Sequence, residues 1–161
     1  MVHIFNCILT KSAFPAQWKT AKIIPIPKCN KAVGPSDFRP ISILPCLSKV
    51  FEKVLKQQIC CYLERFCLLN ENQSAYRKHH STSTALLNIV YDIMKSIDNG
   101  QFNILVLFDF SKAFDNVSHS ILIDKLINNF GFHSSAVKLI TSYLSDRPQE
   151  VHADSIIIVS D

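Results

Sequence analysis

The carboxylate best placed for chemistry is Asp109. It follows an unbroken apolar run, Ile104-Leu105-Val106-Leu107-Phe108, and precedes Phe110-Ser111-Lys112-Ala113-Phe114-Asp115. A run with no polar alternation suits a strand buried on both faces. A buried strand that ends in an acidic side chain holds a metal ligand rigidly. The structural alternative, commoner at strand ends, is an Asp on its way into a turn. Asp115 lies past the predicted strand end and near a helix start, where a carboxylate satisfies backbone donors more readily than it binds a metal. Lys112 reads as a surface or backbone-tethering lysine.

Two basic stretches come next. Arg39, in Asp37-Phe38-Arg39-Pro40-Ile41-Ser42, is held extended by the proline after it. Its planar fork suits phosphate recognition, although an ordinary surface arginine or a helix-end cap is the commoner case. Gln73-Ser74-Ala75-Tyr76-Arg77-Lys78-His79-His80 is polar and basic with one aromatic residue. Such a run can follow a nucleic-acid strand by phosphate contact and stacking. His79 and His80 are adjacent, so they point apart and make a poor metal pair; they read as solvated loop residues.

The elements that must position these residues follow from periodicity. Ile4 to Leu9 read as helical, and Phe14-Pro15 breaks that helix. Ile23, Ile24 and Ile26 favour a strand, and Pro25 and Pro27 confine it to a sheet edge or an extended hairpin arm. Gly34-Pro35 marks a surface turn. Ser48 to Phe66 is a helix whose stripe of Val50, Phe51, Val54, Leu55, Ile59, Tyr62, Leu63 and Phe66 faces a core. Ser81 to Asn99 is a second amphipathic helix, with Leu86, Leu87, Val90, Ile93, Met94 and Ile97 inward, a Ser/Thr cap and a stop at Asn99-Gly100. Ser118 caps a third helix running to about Asn129. Ser134 to Leu144 is a fourth, stopped by Asp146-Arg147-Pro148. Ile156 to Val159 is strand-like.

Composition sets the frame. The 161 residues suffice for one domain with a real core; 48% are hydrophobic and 19% charged, which excludes a disordered chain. A net charge of +4 permits a nucleic-acid partner without requiring one. The six cysteines contain no Cys-x-x-Cys pair, which argues against a zinc ribbon and a disulfide scaffold. Reduced thiols, mostly buried, are expected, in an intracellular setting, cytoplasm or nucleus. Met1 to Thr10 is apolar but too short to span a bilayer and lacks the features of a secretion signal. No membrane segment is expected.

Taken in order, Trp18-Lys19-x-Ala21-x-Ile23-x-Pro25-Ile26-x-Lys28, Asp37-Phe38-Arg39-Pro40-Ile41-Ser42, Ser48-Lys49-Val50-Phe51-Glu52-Lys53, Gln73-Ser74-Ala75-Tyr76-Arg77 with His80-Ser81-Thr82, Asp109-Phe110-Ser111-Lys112-Ala113-Phe114-Asp115 and Ser142-Tyr143-Leu144-Ser145-Asp146-Arg147 form a set of blocks. Across nearly the whole chain these blocks resemble the reverse transcriptases of non-LTR (LINE-type, jockey-like) retrotransposons. The resemblance implies an α+β fold: a partial right-hand polymerase, with residues 1–100 mainly fingers and 101–161 the start of the palm.

It also implies chemistry. Polymerases of this kind use two divalent metals, Mg²⁺ or Mn²⁺, to activate a primer hydroxyl and neutralise a triphosphate. Asp109 takes the position of the first metal carboxylate, joined by the backbone oxygen of Phe110. Phe114 takes the position of the aromatic ring under the nucleotide sugar that excludes a 2′-hydroxyl. Lys28 and Arg39 face the triphosphate, and Arg77 and Lys78 lie along the template. The implied partners are an RNA template, a DNA primer and dNTP.

Two family features are not intact in residues 1–161: the Gly-x-Pro-Gln-Gly pocket stretch and the Ala-Asp-Asp hairpin. His152-Ala153-Asp154-Ser155-Ile156 resembles such a hairpin with its second Asp replaced by Ser, but it follows Asp109 too closely. Tyr143 to Ser160 reads more naturally as the strand between motifs. The expectation is a domain truncated before the pocket and catalytic-hairpin motifs, inactive alone, that does not hold its metal tightly. A residual nucleic-acid- or partner-binding module without catalysis is the alternative, and a product that does not fold stably is a third.

Overall fold

Aromatic residues far apart in the chain meet in one cluster. In a computed structural model describing residues 1–31, 33–153 and 156–160, Phe5 on helix α1 (Val2–Lys11), Phe14, Trp18 in a short 3-10 turn (Ala16–Trp18) and Phe51 on helix α2 (Cys46–Arg65) pack together with Tyr143 on helix α5 (Ser134–Leu144). Ring centroids lie 5.1 Å apart for Phe5–Phe51, 6.2 Å for Trp18–Phe51 and 5.0 Å for Phe14–Tyr143, all tilted or edge-on. These are the arrangements that ring quadrupoles favour. Ile8 and Leu139 complete the buried cluster, and Phe51 is 0% exposed.

Hydrogen bonds fasten the Phe14–Ala21 segment to α5 and the turn after it. The Phe14 N–H donates to Ser142 Oγ at 3.0 Å, and the Ala21 N–H donates to the Pro148 carbonyl at 3.0 Å. Lys19, only 8% exposed, donates from Nζ to the Ser145 carbonyl at 3.0 Å. Its ammonium thereby meets the negative end of the α5 dipole. The Arg147 guanidinium stacks 4.4 Å over the Tyr143 ring. Burial pushes the Tyr143 hydroxyl above its ordinary pKa, and the neighbouring Glu52 carboxylate pushes it the same way.

The sheet is small and mixed. Its order is β2 (Phe38–Ile43), β1 (Ala21–Pro27), β3 (Gln149–Ala153), β4 (Ile156–Ser160). β1 pairs antiparallel with β2 from Lys22↔Ile43 to Pro27↔Phe38. It pairs parallel with β3 only over Ala21↔Gln149 to Ile23↔Val151. The expectation of an edge strand is therefore corrected for Lys22 and Ile23, which have strand neighbours on both sides. It holds where the prolines are. Pro25 and Pro27 lie beyond the last β3 pair, where a missing N–H interrupts no second ladder. β3 and β4 form an antiparallel hairpin. The Asp154-Ser155 pair, on which the degraded Ala-Asp-Asp reading rests, lies outside the described residues.

Helices and a small sheet make the fold α+β. The chain divides into two compact units, Met1–Cys61 with Ser118–Asp161, and Tyr62–Val117. The first holds the aromatic cluster, the sheet, α4 (His119–Asn128) and α5. The second holds the last turn of α2, α3 (Thr82–Asp98) and the stretch to Val117. α3 begins as the sequence predicts: Ser81 Oγ accepts from the Thr84 N–H at 3.2 Å, and the Ser81 N–H donates to Thr84 Oγ1 at 2.9 Å. Gly100, at φ 70°, ends it.

Two core expectations fail. Of the α2 stripe only Phe51 is buried, and Val50 and Phe66 are exposed. On α3, Leu86, Leu87, Val90, Met94 and Ile97 are exposed and Ile93 is half-buried. Periodicity marks a face able to pack; burial requires a partner over it. The Ile104–Phe108 run is corrected for the same reason. It belongs to no strand, and Ile104 and Phe108 are 90% and 84% exposed. A strand exists only by pairing, and among the described residues no ladder includes this stretch.

Because Phe51 is fully buried against three other rings, Phe51→Ala is expected to lower unfolding stability by about 3–5 kcal/mol in a urea titration. Val50→Ala, one residue away on the exposed side, is expected to cost less than about 1 kcal/mol. Equal losses would contradict the placement of the core.

Candidate nucleotide and nucleic-acid site

In the first unit the cationic residues sit on the β1–β2 ribbon. Arg39 is the register partner of Ile26, and the Lys28 N–H donates to the Asp37 carbonyl at 2.7 Å, continuing the ladder by one pair. Alternation along a strand puts residues 22, 24, 26 and 28 on one face, with Arg39 and Asp37 opposite the last two. Ala21 and Ile23 are buried on the other face, so Lys28 and Arg39 share the solvent face with Lys22. A shallow cleft of about 380 Å³ lies at the ribbon's end, lined by Pro27, Lys28, Cys29, Asn30 and Phe38. The structure thus brings together the two residues predicted to face a triphosphate.

Asp37 shapes this end of the ribbon, a role the sequence reading did not assign. Its Oδ2 accepts from the N–H groups of Val33 and Gly34, both at 3.1 Å. These bonds hold its carboxyl below the ordinary value of 3.8, with the Lys28 charge adding to the effect. An Asp three residues after the glycine of a Gly-Pro turn is the sequence feature that accompanies this role.

In the second unit, Arg77 is built into its own loop. Its Nη1 donates to the carbonyls of Asn70 at 3.1 Å, Gln73 at 3.4 Å and Glu71 at 3.5 Å. Lys78 is exposed, and its carbonyl meets His80 Nδ1 at 2.8 Å. Tyr76 and His79 both have φ 61°. For a residue with a Cβ, that left-handed conformation costs roughly 1–2 kcal/mol. The Tyr76 ring lies 6.3 Å from the Phe114 ring, edge to face at 79°. Such pairs contribute about 0.5–1.5 kcal/mol beyond area burial.

Asp109, Phe110 and Phe114 are exposed. A tight turn follows Phe110: the Asp115 and Asn116 N–H groups donate to the Lys112 carbonyl at 3.0 and 3.1 Å, with Lys112 at φ 51°. Asn116 Nδ2 closes it on the Ser111 carbonyl at 3.1 Å. Among the described residues no group of three His, Cys, Asp or Glu side chains could hold a metal ion. A divalent cation needs six or so oxygen ligands, and Asp109 with the Phe110 carbonyl supplies two on a stretch that no ladder fixes. The residues present do not by themselves fit the metal pair of the family.

The Asp37 geometry gives a pH dependence. A carboxyl whose folded value is lowered stabilises its loop fully above about pH 4 and loses that contribution as pH falls through the folded value. Amide shifts of Val33 and Gly34, followed by NMR from about pH 6 to 2, are expected to titrate together with a midpoint below 3.8. Asp37→Asn is expected to flatten both curves. A midpoint above 3.8 would contradict the hydrogen-bonding assigned to Asp37.

The profile of the family described as "Reverse transcriptase (RNA-dependent DNA polymerase)" matches residues 26–158. Among curated proteins, the chain is 34% identical over 145 residues to the probable RNA-directed DNA polymerase from transposon BS of Drosophila melanogaster, covering 89% of this chain and 16% of that protein. To the probable polymerase from the X-element of the same organism it is 35% identical over 117 residues, covering 72% of the chain and 13% of the relative. To the RNA-directed DNA polymerase from its mobile element jockey it is 29% identical over 152 residues, covering 94% and 16%. The chain spans only 13–16% of the length of these relatives. No helix among the described residues is long and apolar enough to cross a membrane. The profile matches most of the chain, and the chain therefore belongs to the reverse transcriptase family, similar to the polymerases of jockey and other non-LTR retrotransposons.

Proposed function

We propose that this chain is the part of an RNA-directed DNA polymerase that receives the nucleotide and the template, with fingers over residues 1–100 and the start of the palm over 101–161. The observation that carries the reading is the shared face of Lys28 and Arg39 on the β1–β2 ribbon, beside a cleft open to solvent. Two cations on one face are suited to successive phosphates of a dNTP, Arg39 through a planar two-pronged contact and Lys28 as a point charge. Arg77 and Lys78 approach the RNA template, Lys78 directly and Arg77 mainly by holding the loop that carries it. Phe114 meets the sugar of the nucleotide.

Asp109 and the Phe110 carbonyl are two of the oxygens that a Mg²⁺ or Mn²⁺ ion uses in the intact enzymes. The remaining carboxylates come from outside residues 1–161, since neither the Gly-x-Pro-Gln-Gly stretch nor an intact Ala-Asp-Asp hairpin occurs within them. Alone, this chain binds nucleic acid and nucleotide and does not extend a primer. Its six cysteines are free thiols, exposed or half-buried rather than mostly buried as expected, which suits a reducing intracellular compartment, cytoplasm or nucleus.

Fluorescence anisotropy with an RNA-template/DNA-primer duplex, measured across a salt series, tests this reading. Affinity is expected to fall steeply with salt, and Lys78→Ala is expected to reduce the log–log slope by about one. Lys28→Ala with Arg39→Ala is expected to weaken dATP binding at least about tenfold while leaving duplex binding within about threefold. Salt-insensitive binding, or primer extension by the purified chain with Mg²⁺, would overturn it.

A further inference from the structure

Phe114 is one half of a ring pair, and the pairing is not a by-product of burial. Tyr76 is 78% and Phe114 76% exposed, yet the two rings meet edge to face, 6.3 Å apart. Rings driven together by core packing lose most of their surface, as Phe51 does; these two keep theirs. The backbone is arranged to present them. Tyr76 itself has φ 61° and Lys112, two residues before Phe114, φ 51°, the left-handed region that residues with a Cβ rarely occupy.

Local hydrogen bonds hold both turns. On one side Arg77 Nη1 gathers the carbonyls of Asn70, Glu71 and Gln73, and Gln73 Nε2 donates to the Ala75 carbonyl at 3.2 Å. On the other, Asn116 Nδ2 and the Lys112 carbonyl close the 111–116 turn. Strain of this kind, retained in two exposed turns that converge on one contact, marks a position whose geometry is used.

We propose that Tyr76 is a positioning residue for Phe114: its ring fixes the orientation of the Phe114 ring and so sets how strongly the site discriminates a deoxyribonucleotide from a ribonucleotide. The inference rests on the reading of Phe114 as the residue that meets the nucleotide sugar. A steric test for one hydroxyl works only if the testing ring cannot swing away. An exposed phenylalanine on a turn has two free side-chain torsions, and a second ring against it restricts both. Tyr76 thereby joins the basic loop to sugar recognition, a role separate from template contact.

The chain labelled with 3-fluorotyrosine has four ¹⁹F resonances, one per tyrosine, and the Tyr76 signal is assigned by its loss in Tyr76→Phe. Binding of dATP and of ATP, each with Mg²⁺, is measured by the shift of these resonances and, for every variant, by isothermal titration calorimetry. The native chain is expected to prefer dATP over ATP by at least about tenfold. Tyr76→Ala is expected to reduce that preference about fivefold by tightening ATP binding, with dATP affinity little changed. Tyr76→Phe, which keeps the ring, is expected to retain it, and Phe114→Ala to abolish it.

A collapse of the preference in Phe114→Ala but not in Tyr76→Ala would overturn the proposal and leave the reading of Phe114 intact. Loss of dATP affinity in Tyr76→Ala without a change in the ratio would also overturn it. A native chain with no preference, or no saturable response to either nucleotide, would overturn the reading of Phe114 and the proposal with it.

Discussion

Phe51 is the side chain on which the first unit depends. It is completely enclosed, and the rings of Phe5, Phe14 and Trp18 reach it from α1 and the segment leading to β1. That contact orients the start of β1, and β1 is the strand through which β2 and β3 are both held. The same cluster receives Tyr143 from α5, more than ninety residues later in the chain, with Lys19 and Ser142 bonding the two segments directly. The ribbon carrying Lys28 and Arg39 is therefore anchored at one end by a packed aromatic core. Its other end, stiffened by prolines and closed by Asp37, projects as an exposed ribbon.

The rest of the candidate site has a different physical basis. In the second unit no residue is buried, and the turns bearing Tyr76 and Phe114 are shaped by local hydrogen bonds. Local bonds set the geometry of a turn. They do not lock a ligand as a paired strand does, because each is open to competition from water. The consequence for function is asymmetric. Lys28 and Arg39 are pre-positioned by the paired ribbon, whereas Asp109 lies on a stretch that no ladder among the described residues fixes.

What was legible in the sequence follows from this division. Helix α3 with its Gly100 stop, helix α5 ending before Pro148, and the extended Arg39-Pro40 segment are determined by residues a few positions apart, and periodicity and turn chemistry read them correctly, while the choice of Ser81 among several Ser/Thr candidates for the α3 cap came from the structure. The motif order likewise led to the family. Features that depend on distant partners were not legible. The Ile104–Phe108 run has the composition of a buried strand but no ladder to enter, and the α3 stripe is amphipathic without a cover. The first residues of β1 gained a second neighbour that prolines farther along seemed to forbid. Lys19, Asp37 and the Tyr76–Phe114 contact were missed because each is defined by what it touches.

Residues 104–108, leading to Asp109, enter no ladder among the described residues, and amide hydrogen exchange on the intact chain tests this residue by residue. Amides of Ile23, of α2 around Phe51 and of α5 are expected to exchange slowly, near the rate set by global unfolding. Amides of residues 104–108 are expected to exchange within about tenfold of unstructured peptide rates, because no ladder accepts them. Protection of residues 104–108 equal to that of Ile23 would contradict the account and would mean that this stretch is a strand with partners after all.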